Sequence, residues 1–257
     1  MHDIRYDAVH DEMVVPVPMA EAILTFRGGA DGQEVPIRTI QGPKTGPISS
    51  RVEVDPIHNE IFGYTDSDTI VVFPREANGD VAPIRVLGGP DTQLKNVNSI
   101  AVDPVNDVLV VGLQSDWGTE ECTKGIGHRG GRGGRCEKGG ILVFNRTDQG
   151  NAKPRAVIRG EKSRIIRINQ LQVSPQRKLI VAAMPGIFDA MEPPLAFVGI
   201  WSYDDNGDVP ARYEIPIGPV TKMKKPFGVA LDANHKEVIV SDMRNQGILT
   251  YSVPEIF

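Results

Sequence analysis

The 257-residue sequence predicts an all-β chain, a β-propeller of four-stranded antiparallel blades, on three observations. One phrase returns four times: an apolar strand ending in an aromatic ring, a glycine turn, a proline, an arginine-bearing strand, and a Gly-x-x-Thr/Ser step. It runs Phe26, Asp31-Gly32, Pro36-Ile37-Arg38, Gly42-Pro43-Lys44-Thr45, and again from Phe73 through Asn78-Gly79 and Pro83-Ile84-Arg85 to Gly89-Pro90-Asp91-Thr92. Two more copies follow, Phe144, Gln149-Gly150, Pro154-Arg155, Gly160 to Ser163, and Tyr203, Asn206-Gly207, Pro210-Ala211-Arg212, Gly218 to Thr221. The spacing of roughly 47 to 71 residues is that of a radial repeat built from short strands. The second observation is the absence of helical spacing, and the third is that every repeat carries strand-length strings of branched residues.

Each unit reads as strands a to d. Strand a is Ile4 to Asp7, Val52 to Asp55, Ile100 to Asp103, Leu171 to Ser174 and Val229 to Asp232. Strand b is Met13 to Val15, Ile61 to Tyr64, Val108 to Val111, Leu179 to Ala182 and Val238 to Val240, near-continuous apolar strings that suit strands buried on both faces. Strand c is Ala22 to Phe26, Thr69 to Phe73, Ile141 to Phe144, Val198 to Tyr203 and Ile248 to Tyr251. In four units it leads into Asp-Gly, Asn-Gly or Gln-Gly, which supply the positive φ of a tight hairpin. Strand d opens on proline, which cannot donate to a ladder, so d is expected outermost. Five a-b-c units and four d strands are visible. The ring is therefore expected to be five-bladed with a three-stranded last blade, or part of a six-bladed one. One domain spans 1–257, with units at about 1–48, 49–96, 97–167, 168–225 and 226–257, because a blade cannot bury both faces without neighbours.

Composition narrows function by exclusion. A net charge of -5 gives no overall attraction to nucleic acid or anionic membrane, and no apolar run is long enough for a transmembrane helix. The amino terminus is charged from its second residue and lacks a signal-peptide layout, so the chain is expected to be soluble and exported only if an upstream segment exists.

Function is sought where the repeat breaks. Two b to c connections are greatly extended, Gln114 to Gly140 and Met184 to Phe197, and both are expected on the face around the channel mouth. They bring Asp116, Trp117, Glu120, Glu121, Phe188, Asp189, Met191 and Glu192 to that face. Gly125-Ile126-Gly127-His128-Arg129-Gly130 matches a dinucleotide-binding string, but it runs into more glycine and arginine where that chemistry needs a helix. Three glycine-spaced arginines, Arg129, Arg132 and Arg135, resemble an RNA-binding tract without its aromatic stacking residues. Cys122 and Cys136 bracket the tract, and a disulfide between them would close a loop of about 15 residues, worth up to roughly 3 kcal/mol. Zinc is the competing reading, with His128 as third ligand, but a closed site needs four. His10, His58 and His235 each precede a glutamate by two residues in an a to b turn, and read as repeat residues. No Gly-x-Ser-x-Gly elbow supports a serine hydrolase.

The stretch Lys225-Pro226-Phe227-Gly228-Val229-Ala230-Leu231-Asp232, followed by Glu237 to Asp242 and Gln246 to Tyr251, closely resembles an NHL repeat. More distantly the chain is similar to the six-bladed gluconolactonase and regucalcin-like propellers. The first resemblance implies the fold and leaves the function open, because NHL-type propellers include protein-binding and RNA-binding modules and lyases. In the second family, asparagines entering the top of the channel serve a metal or substrate. The corresponding positions are His2, Ser50, Asn98, Asn169 and Phe227. Asn98 and Asn169 fit as calcium ligands, while Phe227 stands where an aspartate belongs, and calcium prefers six to eight oxygens with carboxylates among them. Asp116, Asp189, Glu192 or Asp242 would have to supply that charge.

Two functions follow. The first is a non-catalytic binding propeller that engages a protein or small-molecule ligand, without a cofactor, through loops 114–140 and 184–197, using Trp117, Phe188, Met191, Arg244 and the asparagines. The alternative is a calcium-assisted lactonase-like hydrolase or lyase at the channel mouth, with Asn98 and Asn169 as ligands and Asp189 or Asp242 as base. The missing carboxylate shell favours the first.

Overall fold

The computed structural model describes residues 3–115, 139–186 and 195–257. Strands β1 (Arg5–Asp7), β2 (Glu12–Val17), β3 (Ala22–Arg27) and β4 (Arg38–Gln41) form the first antiparallel sheet. The second holds β5 (Val52–Asp55), β6 (Glu60–Tyr64), β7 (Ile70–Pro74) and β8 (Arg85–Leu87), and the third β9 (Val97–Asp103), β10 (Val108–Leu113), β11 (Gly140–Asn145) and β12 (Ala156–Ile158). The fourth holds β13 (Gln170–Ser174), β14 (Leu179–Met184), β15 (Phe197–Ser202) and β16 (Tyr213–Pro216). The fifth has three strands, β17 (Pro226–Asp232), β18 (Glu237–Asp242) and β19 (Gly247–Ser252). Five antiparallel meanders, one to a repeat, make the chain a five-bladed β-propeller.

Local chemistry explains the meanders. The hairpins between third and fourth strands turn on Gly32, Gly79, Gly150 and Gly207, with φ of 56°, 83°, 61° and 84°. The fourth strands β4, β8, β12 and β16 lie at the sheet edges, as their leading prolines require. Residues of β6, β10, β14 and β15 are buried throughout, the burial expected of continuous branched strings. The turn between first and second strands repeats too. The Asp7 carboxylate accepts the Val9 and His10 amides and bonds His10 Nδ1 at 2.7 Å, and Asp55 with His58 and Asp232 with His235 do the same. The three histidines therefore hold turns, as expected of repeat residues.

The chain divides into two compact units, Met1–Leu109 with Phe144–Pro154, and Val110–Val143 with Arg155–Phe257. In the first, Val14, Ile23 and Ile40 pack against Val52, Ile61, Val71 and Phe73. Charged residues cap this core: Glu12 accepts from Arg38 and Arg75, and Glu60 from Arg85 and Arg146. In the second, Val181, Val198 and Ile200 pack against Val229, Val238 and Val240.

Consecutive sheets are joined by a repeated device. Gly79 donates to Thr39 O at 2.6 Å and accepts from Gln41 N at 3.1 Å. Gly150 pairs in the same way with Val86 and Gly88, and Gly207 with Val157 and Arg159. Beside each hairpin glycine a side chain sits over the glycine of the previous Gly-x-x-Thr/Ser step. Asp80 covers Gly42, Asn151 covers Gly89 and Asp208 covers Gly160, so closely that a Cβ on any of the three would overlap it. Each also accepts a backbone amide two residues on, from Lys44, Asp91 or Lys162, at 2.7 Å. Glycine is needed there twice over, for space and for φ near +125° to +146°.

Candidate functional site

In the second unit both extended connections root on one short segment, residues 166–169. The connection from β10 leaves beside it, where Ser115 N donates to Ile166 O at 2.8 Å and Gln114 bridges Arg167. It returns at Gly139, where a Cβ would overlap the carbonyls of Ile166 and Leu113, so only glycine closes this root. The connection from β14 leaves at Met184, which pairs with Phe197 on its return, and Asn169 N donates to Ala183 O at 3.0 Å on that side.

Side chains on the segment lock it to β17. Asn169, 2% exposed, donates through Nδ2 to Phe227 O at 2.7 Å and accepts from Arg167 Nη2 at 3.1 Å. The Arg167 guanidinium lies 5.8 Å from the centre of the Phe227 ring, within cation–π range. Gln170 Oε1 accepts the Val229 amide at 2.9 Å, next to an irregularity in β17 between Pro226 and Gly228. At the second root Arg164 stands 4.3 Å over the Phe197 ring while pairing with Glu214. Guanidinium, aromatic and amide groups thus hold the two roots in place, with Arg167 and Phe227 half-buried among them.

Asp242 and Arg244 lie in the same unit. The buried Asp242 carboxylate accepts four backbone amides, those of Lys224, Lys225, Arg244 and Asn245, at 2.7 to 2.9 Å. Burial alone would push its carboxyl up, and the four donors hold it below the ordinary range instead. That is the wiring of a group that fixes a turn. Arg244 is exposed, and its guanidinium has no ion pair among the described residues. Asn98 is half-buried on β9 in the first unit. Asp116, Trp117, Cys122, Cys136, Phe188, Asp189, Met191 and Glu192 lie outside the described residues, and with them the proposed disulfide. Among the described residues no group of three or more His, Cys, Asp or Glu side chains is placed to hold a metal ion.

The first unit holds a cluster that sequence reasoning passed over. Arg5 binds Asp3 at 2.7 Å and Glu53 at 3.0 Å, and Arg51, 7% exposed, hydrogen-bonds Tyr64. Burial pushes the Glu53 and Asp3 carboxyls above the usual range despite Arg5, and pushes Arg51 down. Perturbed titrating groups of this kind mark candidate sites as well as structural networks. The available signal was alternation: Asp3-x-Arg5 and Arg51-x-Glu53 each put two charges two residues apart where the chain enters a strand, and so on one side of it.

A 600 Å³ cleft lies in the second unit, lined by Ile217, Gly218, Pro219, Lys222, Met223, Lys224, Asn245 and Leu249. It combines an apolar floor with two lysines. No family model and no curated protein matches the chain.

Proposed function

We propose that the protein is a non-catalytic binding module, and that its ligand, a protein or a small molecule, is held at the face carrying the connections 114–140 and 184–197. The observation that carries this reading is the common root of both connections on residues 166–169, beside the half-buried Arg167 and Phe227. Long connections on a rigid scaffold are where binding residues concentrate. Guanidinium and aromatic groups supply much of the affinity at such surfaces. The Asn169 amide, spent on Phe227 O and Arg167, acts here as the clamp that sets the face.

Peptides selected by display against the intact protein provide the test. Two variants are compared with it: one in which residues 116–138 are replaced by a short Gly-Ser bridge, and Phe227→Ala. The selected peptides are expected to lose at least tenfold in affinity for both variants while the melting curves stay cooperative. Peptides that bind both variants as well as the intact protein would remove the reading.

A further inference from the structure

Among the described residues the fifth sheet lacks what the other four have. In the first four, the third strand carries a residue with no exposed surface, Ile23, Ile70, Ile141 or Val198. Each faces a buried branched residue of the fourth strand: Ile40, Leu87, Ile158 or Ile215. Registers with the second strand place Ile248 at the same position in β19, where it is 72% exposed. The same registers align Glu237 with Glu12 and Glu60. Those two carboxylates receive the fourth-strand arginines Arg38 and Arg85, whereas Glu237 has no ion pair among the described residues.

The joint leading to this sheet is open as well. Gly218 has φ of 146°, the conformation of Gly42 and Gly160, yet among the described residues nothing would meet a Cβ there within 4 Å. Val220, whose amide corresponds to those of Lys44 and Lys162, is 93% exposed. The cleft lined by Gly218, Lys222, Lys224 and Leu249 occupies the place that a hairpin fills at the other three joints.

We propose that the fifth sheet binds an extended segment of another polypeptide, which adds antiparallel to β19 as its fourth strand. The repeat defines the chemistry of that segment. A turn carrying Asp or Asn seats its side chain over Gly218, next to Lys222 and Lys224. An arginine five residues later, the interval from Asp80 to Arg85, reaches Glu237. A branched apolar residue two positions beyond covers Ile248. Main-chain bonds to an open sheet edge give such binding its affinity, and the charges at either end fix register and direction. This site is separate from the loop face, and its test does not depend on that reading.

The probe is an acetylated, fluorescein-labelled peptide with the sequence of residues 77–89, titrated by anisotropy into the intact protein. Saturable binding is expected, with β19 amides protected from exchange. The Arg85→Glu version of the peptide should bind about tenfold more weakly to the intact protein and regain affinity for the Glu237→Arg variant. Absence of saturation at millimolar peptide, equal binding by a scrambled peptide, or binding without protection of β19 would each overturn the proposal. Self-association that protects β19 in the absence of peptide would assign the edge to a second copy and overturn it too.

Discussion

Glu60 is gripped by Arg85 through both oxygens, at 2.6 and 2.7 Å, and by Arg146 at 2.7 Å. Burial alone would raise its carboxyl; the two guanidinium groups override burial and hold it below the ordinary range. Its contribution to stability is present above the unfolded carboxylate range and is lost as pH falls through the lowered value. Glu60→Gln strands the half-buried Arg85 and leaves the buried Arg146 with Asp107 and Asp55 alone, and is expected to cost about 3 kcal/mol in urea unfolding. A midpoint unchanged from the parent protein would show that the pair is idle. Glu53 has the opposite sign. Its carboxyl sits above the unfolded value, so the folded state binds the proton more tightly and stability declines as pH rises from the ordinary carboxylate range through the raised one. In Glu53→Gln that decline should shrink to the part contributed by Asp3, read as melting temperature against pH.

At the scale of elements, the joint between sheets is the recurring unit, and it separates two glycines with nearly the same backbone. Gly160 and Gly218 have φ of 145° and 146°, so alanine strains both, but only at Gly160 does the new methyl strike Asp208. Gly160→Ala should therefore be more damaging than Gly218→Ala by roughly 1 kcal/mol or more in the same unfolding assay. Equal losses would mean that Asp208 moves aside freely. The glycines were legible in the sequence as repeat punctuation, because hairpin chemistry is local and demands positive φ. Their close neighbours were not, since Asp208 lies far along the chain from Gly160 and no spacing rule links them. Asn169 follows the same division. It stood out in sequence because it corresponds to a channel asparagine of the gluconolactonase-like propellers, but its bond to the Phe227 carbonyl appears only when β13 and β17 pack together. The Asp3, Arg5, Arg51 and Glu53 cluster was missed for a related reason, because alternating charges on a strand read as a solvated face until a second strand buries them.

Across the whole molecule, protection is graded by position within each sheet. Among the described residues β6, β10 and β14 are paired on both sides and buried throughout, whereas β19 is paired with β18 alone and is mostly exposed. Opening free energies follow burial and pairing, from near zero at frayed edges to the global value in core strands. Native-state hydrogen exchange should find the slowest amides in β6, β10 and β14 and the fastest strand amides in β19. The edge strands β4, β8, β12 and β16 are expected to fall between, because β4, β8 and β12 also bond to the hairpins at Gly79, Gly150 and Gly207, and β16 keeps its pairing with β15. The order within the edge class is itself a test. β16, whose joint at Gly218 is open, should exchange faster than β4, β8 and β12, and the Asp208→Ala variant should bring β12 toward β16 without altering β4 or β8. If β16 were as slow as the other three, the joints would add nothing to the edges they cover, and the gradient would have to come from pairing within each sheet alone.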